Sequence, residues 1–127
     1  AYEAAKLLEK DGIHATVLDM YCVKPLDKEA IVKAASNAKV VVTAEEHAPF
    51  GGLGSMVSQV VGAECPRKVL NIALPDAYVE HGNVSVLREG LGIDSDSVIR
   101  TMRNAWKPLD ERLSETQSHE IMQENQK

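Results

Sequence analysis

The residues best suited to chemistry lie in one loop, directly after the most valine-rich segment of the chain. Two carboxylates and an imidazole come first, and small residues that expose backbone N–H groups follow: Glu45, Glu46, His47, Gly51, Gly52, Gly54 and Ser55. Carboxylates beside an imidazole are typical of acid–base catalysis and of divalent metal sites. Adjacent residues at a strand end point to opposite sides, however, so at most two of the three ionisable groups meet in one site. We therefore favour hydrogen bonds that fix the loop over direct catalysis, and an anion contact stays open for the glycine-rich part.

The glycine-rich part of this loop allows two interpretations. Backbone N–H groups at the start of a helix bind anions, and the helix dipole adds to the attraction. Alternatively, the glycines satisfy a tight turn and close packing of the helix on a sheet. The spacing in residues 51–55 matches neither the dinucleotide-binding pattern nor the phosphate loop, which favours the second interpretation. If Gly52 holds a positive φ angle, Gly52→Val should strain the backbone by about 1–3 kcal/mol and harm folding or assembly. Normal stability with lost ligand affinity would instead favour the anion-binding interpretation.

A second candidate loop follows the next predicted strand and carries Asp76, Glu80 and His81. This loop forms either a turn or the rim of a site. The other histidines, His14 and His119, have no spacing that brings them to the first loop, so no metal site is predicted. The sequence also lacks a GxSxG elbow and a cysteine with an evident histidine partner. From the residues we therefore favour a structural role for both loops and predict no metal-binding residue.

Both loops require strands and helices to position them. Helical periodicity and capping residues predict helices up to residue 12 and over residues 28–36, 53–61, 84–90 and 95–106. Apolar and β-branched segments predict strands over residues 13–21, 39–44 and 69–74. Strands that alternate with helices imply βαβ units, and so an α/β domain with three layers, α/β/α, and a small, mostly parallel sheet. Because a helix opens the chain, we expect at least one neighbouring strand before Ala1.

Composition limits the class of protein. The 127 residues suffice for one domain, and 44% apolar residues suffice for a core. A net charge of −5 disfavours a nucleic-acid or anionic-membrane partner, and no apolar stretch approaches the roughly 20 residues of a membrane span. Cys22 and Cys65 have no pairing pattern and are typical of free thiols in a reducing cytoplasm, where we expect this protein. We expect an N-terminally incomplete domain over residues 1–106 and a polar tail, helical or disordered, over residues 107–127.

Four segments, taken in order, resemble the C-terminal domain of the transketolase family. They are Val23-Lys24-Pro25-Leu26-Asp27, Val42-Thr43-Ala44-Glu45-Glu46-His47, Gly51-Gly52-Leu53-Gly54-Ser55 and Gly92-Ile93-Asp94. Each segment alone is weak, but at these separations they are specific to the family. Within it, the chain is most similar to the C-terminal half of transketolase, including forms whose halves are separate polypeptides. The stretch with Pro75-Asp76 and Glu80-His81-Gly82 favours instead 1-deoxy-D-xylulose-5-phosphate synthase, which shares the domain.

The resemblance implies a mixed five-stranded sheet whose last three strands this chain supplies, with two earlier strands, one of them central, before Ala1. It also implies a transferase of the pentose phosphate pathway that passes a two-carbon unit between sugar phosphates. Thiamine diphosphate and a divalent metal ion, Mg²⁺, would be bound by other domains of that enzyme. The implied partners are the N-terminal part of the same enzyme, in the same chain or as a separate subunit, and a second copy in a homodimer.

No position here matches the family's catalytic histidines or its activating glutamate. The resemblance therefore transfers no catalytic residue, and this segment alone is expected to be inactive and to contribute assembly and dimer packing. It also implies that the loop from Glu45 to Ser55 is an interface that shapes the contact of this domain with the rest of the dimer. From the residues themselves a different class stays open: a free-standing anion-binding or regulatory module built on residues 51–55.

Overall fold

The computed structural model describes residues 1–107, so residues 108–127, which make up nearly all of the predicted tail, lie outside the described part. The elements in chain order are α1 Tyr2–Glu9, α2 Lys28–Ser36, β1 Val40–Ala44, α3 Leu53–Glu64, β2 Lys68–Ile72 and α4 Val84–Leu91. Residues 95–107 form a further helix, α5. Within residues 1–107, no helix is both long and apolar enough to cross a lipid bilayer.

The two strands pair in parallel, as the βαβ pattern predicts. Val41 lies opposite Val69 and Val42 lies opposite Leu70, and the register continues to Ala44 opposite Ile72. Side chains alternate between the two faces of a strand, so Val41 and its partner face one side of the sheet while Val42 and its partner face the other. The carboxyl ends of both strands therefore lie at the same edge of the sheet.

Helices cover both faces of this sheet. On one face, α2 and α3 contribute a buried cluster against which Val41 and Val69 pack: Ile31, Ala35, Val57, Val60, Val61 and Cys65. On the other face, α1 and α5, together with Ile13 and the last residue of β2, form a second cluster with Val42 packed against it: Ala4, Leu8, Ile13, Ile72, Val98 and Ile99. The predicted fold class, a three-layer α/β/α arrangement with a parallel sheet, is confirmed.

Helix ends follow the predicted capping residues. The Asp27 carboxylate accepts a hydrogen bond from the N–H of Ala30 at 2.9 Å, and the Asn83 side chain accepts one from the N–H of Ser85 at 3.0 Å. Gly12, just beyond α1, has a φ of 74°, the left-handed conformation that glycine adopts without strain. Side-chain caps of this kind each contribute about 1 kcal/mol, so local sequence fixes where these helices begin.

The strand predicted over residues 13–21 is wrong. Among the described residues, this segment pairs with neither strand, and its Val17 and Leu18 side chains are 41% and 43% exposed. A strand exists through hydrogen bonds to a neighbouring strand, and apolar, β-branched composition does not supply that neighbour. The expectation of three strands is therefore replaced, within residues 1–107, by a sheet of β1 and β2.

Candidate functional site

The two candidate loops leave the sheet at the same edge and are tied together by the backbone. The N–H of Glu45 donates to the carbonyl of Ile72 at 2.9 Å, which extends the pairing of β1 and β2 by one residue. Beyond it, the N–H of Leu74 donates to the carbonyl of His47 at 3.0 Å. The strand predicted to reach residue 74 therefore ends at Ile72, and residue 74 instead holds the first loop.

The Glu45 carboxylate binds the start of α3. Its Oε2 accepts from the N–H of Leu53 at 2.6 Å and its Oε1 accepts from the N–H of Gly54 at 2.9 Å. These are first-turn N–H groups that have no partner inside the helix, and they carry the positive end of the helix dipole. The anion at this helix start is therefore the chain's own carboxylate, and an external anion would have to displace it.

Gly52 lies next to this carboxylate, and its backbone is not left-handed. Its φ is −86° and its ψ is −167°, extended backbone that any residue adopts; the left-handed position is Gly51, with a φ of 77°. A Cβ at position 52 would overlap the Glu45 carboxylate and would lie 2.9 Å from Nδ1 of His47. The condition of a positive φ at Gly52 is thus not met, and what the structure needs there is space for the carboxylate.

Gly54 is needed for a second close approach. This residue is buried in the first turn of α3, and a Cβ here would overlap the side-chain amide of Asn71 on β2. The Asn71 amide oxygen in turn accepts a hydrogen bond from the hydroxyl of Thr43, which is 7% exposed. The helix start is therefore held by Glu45 and packed directly on the polar pair Thr43 and Asn71.

Ser55 ties the loop to the helix. Its hydroxyl donates to the carbonyl of Pro49 at 2.8 Å and accepts from the N–H of Gly51 at 3.1 Å. The residue between these two, Phe50, has no such restraint on its side chain, which is 75% exposed. The loop thus has a fixed backbone with an aromatic ring at its apex.

The three ionisable side chains of the first loop bind different partners. Glu46 is exposed and forms an ion pair with Arg88 of α4, with Oε1 at 2.5 Å from Nη2 and 2.8 Å from Nε. His47 is also exposed, and its Nδ1–H donates to the carbonyl of Ala48 at 2.8 Å. Only Glu45 and His47 come together, on either side of Gly52. Each of the three has a partner that fixes structure.

The second loop contributes no further chemistry to this cluster. Asp76, Glu80 and His81 are exposed, and within residues 1–107 no side-chain hydrogen bond or ion pair joins them to Glu45 or His47. Over the same residues, no three histidine, cysteine or acidic side chains are grouped so that they could hold a metal ion. The geometry at this edge supports anchoring of a helix and of a loop, and it offers no acid–base pair aimed at a reacting atom.

Three of the residues that form this site were missed by the sequence analysis. Asn71 and Arg88 reach the site from β2 and α4, and their positions follow from the tertiary fold rather than from any local pattern. Phe50 carried a usable signal, because it is a lone aromatic residue in a polar, glycine-rich loop.

Comparisons with known proteins agree with this architecture. The profile of the family "Transketolase, C-terminal domain" matches residues 1–98. The chain is 47% identical over 106 residues to a 1-deoxy-D-xylulose-5-phosphate synthase of Heliobacterium modesticaldum, a match that covers 81% of this chain and 16% of that protein. It is 43% identical over 101 residues to a subunit of the apulose-4-phosphate transketolase of Phocaeicola vulgatus, and that match covers 80% of this chain and 32% of the subunit.

A solved structure described as a split-gene transketolase, an inactive β4 tetramer, is similar in fold. Its TM-score is 0.77 at 40% identity, and the match covers 82% of this chain and 34% of that one. The chain therefore spans about a third or less of the length of these relatives. Family profile, sequence relatives and fold agree, and the chain belongs to the transketolase family, whose C-terminal domain it carries.

Proposed function

We propose that this chain is the C-terminal domain or subunit of a thiamine-diphosphate-dependent transketolase, and that it contributes assembly rather than catalysis. The complete enzyme would transfer a two-carbon ketol unit between sugar phosphates, a reaction of the pentose phosphate pathway. Support comes from the family membership and from the candidate site, where Glu45, Glu46 and His47 all hold structure. Relatives that carry this domain on a separate subunit make both a one-chain and a two-chain enzyme compatible with the proposal.

The observation that carries the proposal is an incomplete sheet. One edge of β1 pairs with β2, and no described segment pairs with the other edge, although Val40, Val41 and Val42 suit the centre of a sheet. Residues 14–21 are also unpaired, yet Ile13 at one end packs in the α1 and α5 cluster and Met20 packs against the α2 and α3 cluster. This segment thus runs in the layer between the helices, where a strand belongs.

The packing of α2 indicates where the additional strand lies. In a right-handed βαβ connection, the helix covers the sheet between the strands that it joins. Here α2 joins residues 14–21 to β1, but it packs mainly on α3. We propose that the N-terminal part of the same enzyme supplies a strand between residues 14–21 and β1, which would cover the exposed Val17 and Leu18 side chains.

Cofactor, assembly and location follow from this proposal. Thiamine diphosphate and Mg²⁺ would be held by the other domains of such an enzyme. When bound, the cofactor supplies the carbanion chemistry, and this chain would hold the assembly around it. We propose a homodimer of the complete enzyme. The free thiols Cys22 and Cys65 support a reducing compartment, the cytoplasm.

The experiment is reconstitution. The chain is expressed alone and together with the remainder of its enzyme, and two-carbon transfer between sugar phosphates is measured with thiamine diphosphate and Mg²⁺ present. We expect no turnover by the chain alone and transfer by the complex. Turnover by the isolated chain, or no association of the two parts, would refute the proposal.

A second candidate is 1-deoxy-D-xylulose-5-phosphate synthase, since several relatives at 39–47% identity carry that name. The same complex distinguishes the two by its product, because the synthase would form 1-deoxy-D-xylulose 5-phosphate in place of a transferred ketose. A free-standing anion-binding or regulatory module is less well supported, because Glu45 already occupies the start of α3. Calorimetry with phosphate and sugar phosphates should give no binding heat at that site.

A further inference from the structure

Phe50 is displayed to solvent by an ordered framework. The chain has a single phenylalanine, and its side chain is 75% exposed. Single exposed apolar residues are common on protein surfaces and need no explanation by themselves. What sets Phe50 apart is that both residues flanking it are bonded to the same group, the Ser55 hydroxyl.

The backbone is restrained on both sides of the Phe50 ring. Pro49 has a φ angle fixed by its own ring, and its carbonyl accepts from Ser55. Gly51 is in the left-handed conformation, with its N–H donating to Ser55. Ser55 itself lies in the first turn of α3, which the Glu45 carboxylate holds. The ring is therefore carried by backbone that loses little further freedom on binding, which is the property that strengthens an interface anchor.

Two features indicate the chemistry of the surface that Phe50 meets. The nearest charged residues of the same loop are already neutralised or engaged: Glu46 pairs with Arg88, and Glu45 caps α3. A partner attracted by charge would find little to bind, whereas an apolar pocket would bury an aromatic ring, the residue type enriched at the centre of interfaces. This chain covers about a third or less of the length of its relatives, and the remainder of such an enzyme would supply that pocket.

We propose that Phe50 is the principal anchor by which this chain binds the remainder of its enzyme, its ring entering an apolar pocket there, with Ser55 as the positioning residue. This inference rests on the proposed function, because the remainder of a transketolase-type enzyme is its occupant.

The chain is co-expressed and co-purified with the remainder of the enzyme. Dissociation of the resulting complex is then measured by dilution and sedimentation velocity. Phe50→Ala should weaken association about 30-fold or more, the loss typical of an interface hot spot. Ser55→Ala keeps the ring but frees the loop and should weaken association about three- to tenfold, and Ser55→Thr, which keeps the hydroxyl, should restore it. The matched control is Tyr78→Ala: Tyr78 is 92% exposed, lies in the adjoining loop and lacks the serine clamp. It should change association by less than about twofold.

The outcomes separate the two proposals. If the wild-type parts do not associate, the proposed function fails and this inference fails with it. If they associate and Phe50→Ala binds as tightly as the wild type, or Tyr78→Ala loses as much as Phe50→Ala, only the inference is overturned. Far-UV circular dichroism of each variant complex checks folding, and a loss of binding in Ser55→Ala that threonine does not restore also counts against the positioning role.

Discussion

Replacing Gly52 with alanine tests what holds the start of α3. Alanine adopts the φ of −86° found here without strain, so the backbone itself should tolerate the change. The new Cβ would overlap the Glu45 carboxylate, which must then leave the N–H groups of Leu53 and Gly54. Hydrogen bonds to a charged group contribute about 1.5–3 kcal/mol each when buried. Because Glu45 is only half-buried, we expect a loss of about 2 kcal/mol in the free energy of unfolding for the pair.

The assay is equilibrium urea unfolding of the full chain, in the wild-type and Glu45→Ala backgrounds. In the wild-type background the loss corresponds to a fall of roughly 10 °C in Tm. Once Glu45→Ala has removed the carboxylate, Gly52→Ala should cost about 1 kcal/mol or less, because only the approach of the new Cβ to His47 and alanine at the N-cap position remain unfavourable. Gly51→Ala is the control: open space surrounds it, but its φ of 77° should cost about 1–2 kcal/mol in both backgrounds. An equal cost of Gly52→Ala in both backgrounds would show that the carboxylate is not what the glycine accommodates.

Substitutions at Gly54, Glu46 and Asp94 test three further contributions to the stability of the chain. Gly54→Ala should destabilise the chain by about 1–2 kcal/mol in urea unfolding, because displacing the Asn71 amide outweighs the roughly 1 kcal/mol of helix propensity gained. In an Asn71→Ala background, where no amide is displaced, the same substitution should instead stabilise the chain. Glu46→Gln should cost less than about 1 kcal/mol, since its ion pair is exposed, and the cost should vanish in high salt. The Ser97 hydroxyl, followed by the N–H of Ser97, holds the pKa of Asp94 below its ordinary value of 3.8. The resulting stabilisation is complete above that value and is lost as the pH falls through the lower folded-state pKa, so Asp94→Asn should lower Tm at neutral pH and match the wild type in strong acid.

Much of this fold can be predicted from the sequence because the patterns that specify it are local. Asp27 and Asn83 cap helices through bonds that span two or three residues, and the three consecutive valines of β1 suit a buried strand in nearly any context. Residues 13–21 show the limit of such signals. Their composition suits a strand equally well, but pairing depends on a neighbour that the segment does not itself specify, and within residues 1–107 they remain unpaired.

The candidate site was predictable in position but not in its contacts. Its place after β1 follows from the α/β pattern, since loops at the carboxyl ends of parallel strands gather at one edge. That Glu45 would bind a helix eight and nine residues later depends on how the loop folds back, and composition alone left an external anion possible. The choice between the two adjacent glycines has the same origin: a glycine pair in a turn suggests one positive φ, and only the tertiary structure shows that Gly51 carries it.

The residues of the loop from Glu45 to Ser55 together form one structural unit. Each of its small residues satisfies a different requirement: Gly51 supplies the left-handed turn, Gly52 the space for a carboxylate and Gly54 the approach of Asn71. Ser55 then joins the two ends of the apex. An active-site loop keeps its donors and its ionisable groups available to a ligand, whereas Glu45 and His47 of this loop bind backbone of the same loop and helix start, and Glu46 pairs with Arg88. A loop whose ionisable groups already have partners within the domain, and whose apex carries an exposed aromatic ring, is suited to hold a surface in place. For that reason we expect the chemistry of the complete enzyme to depend on this chain through assembly.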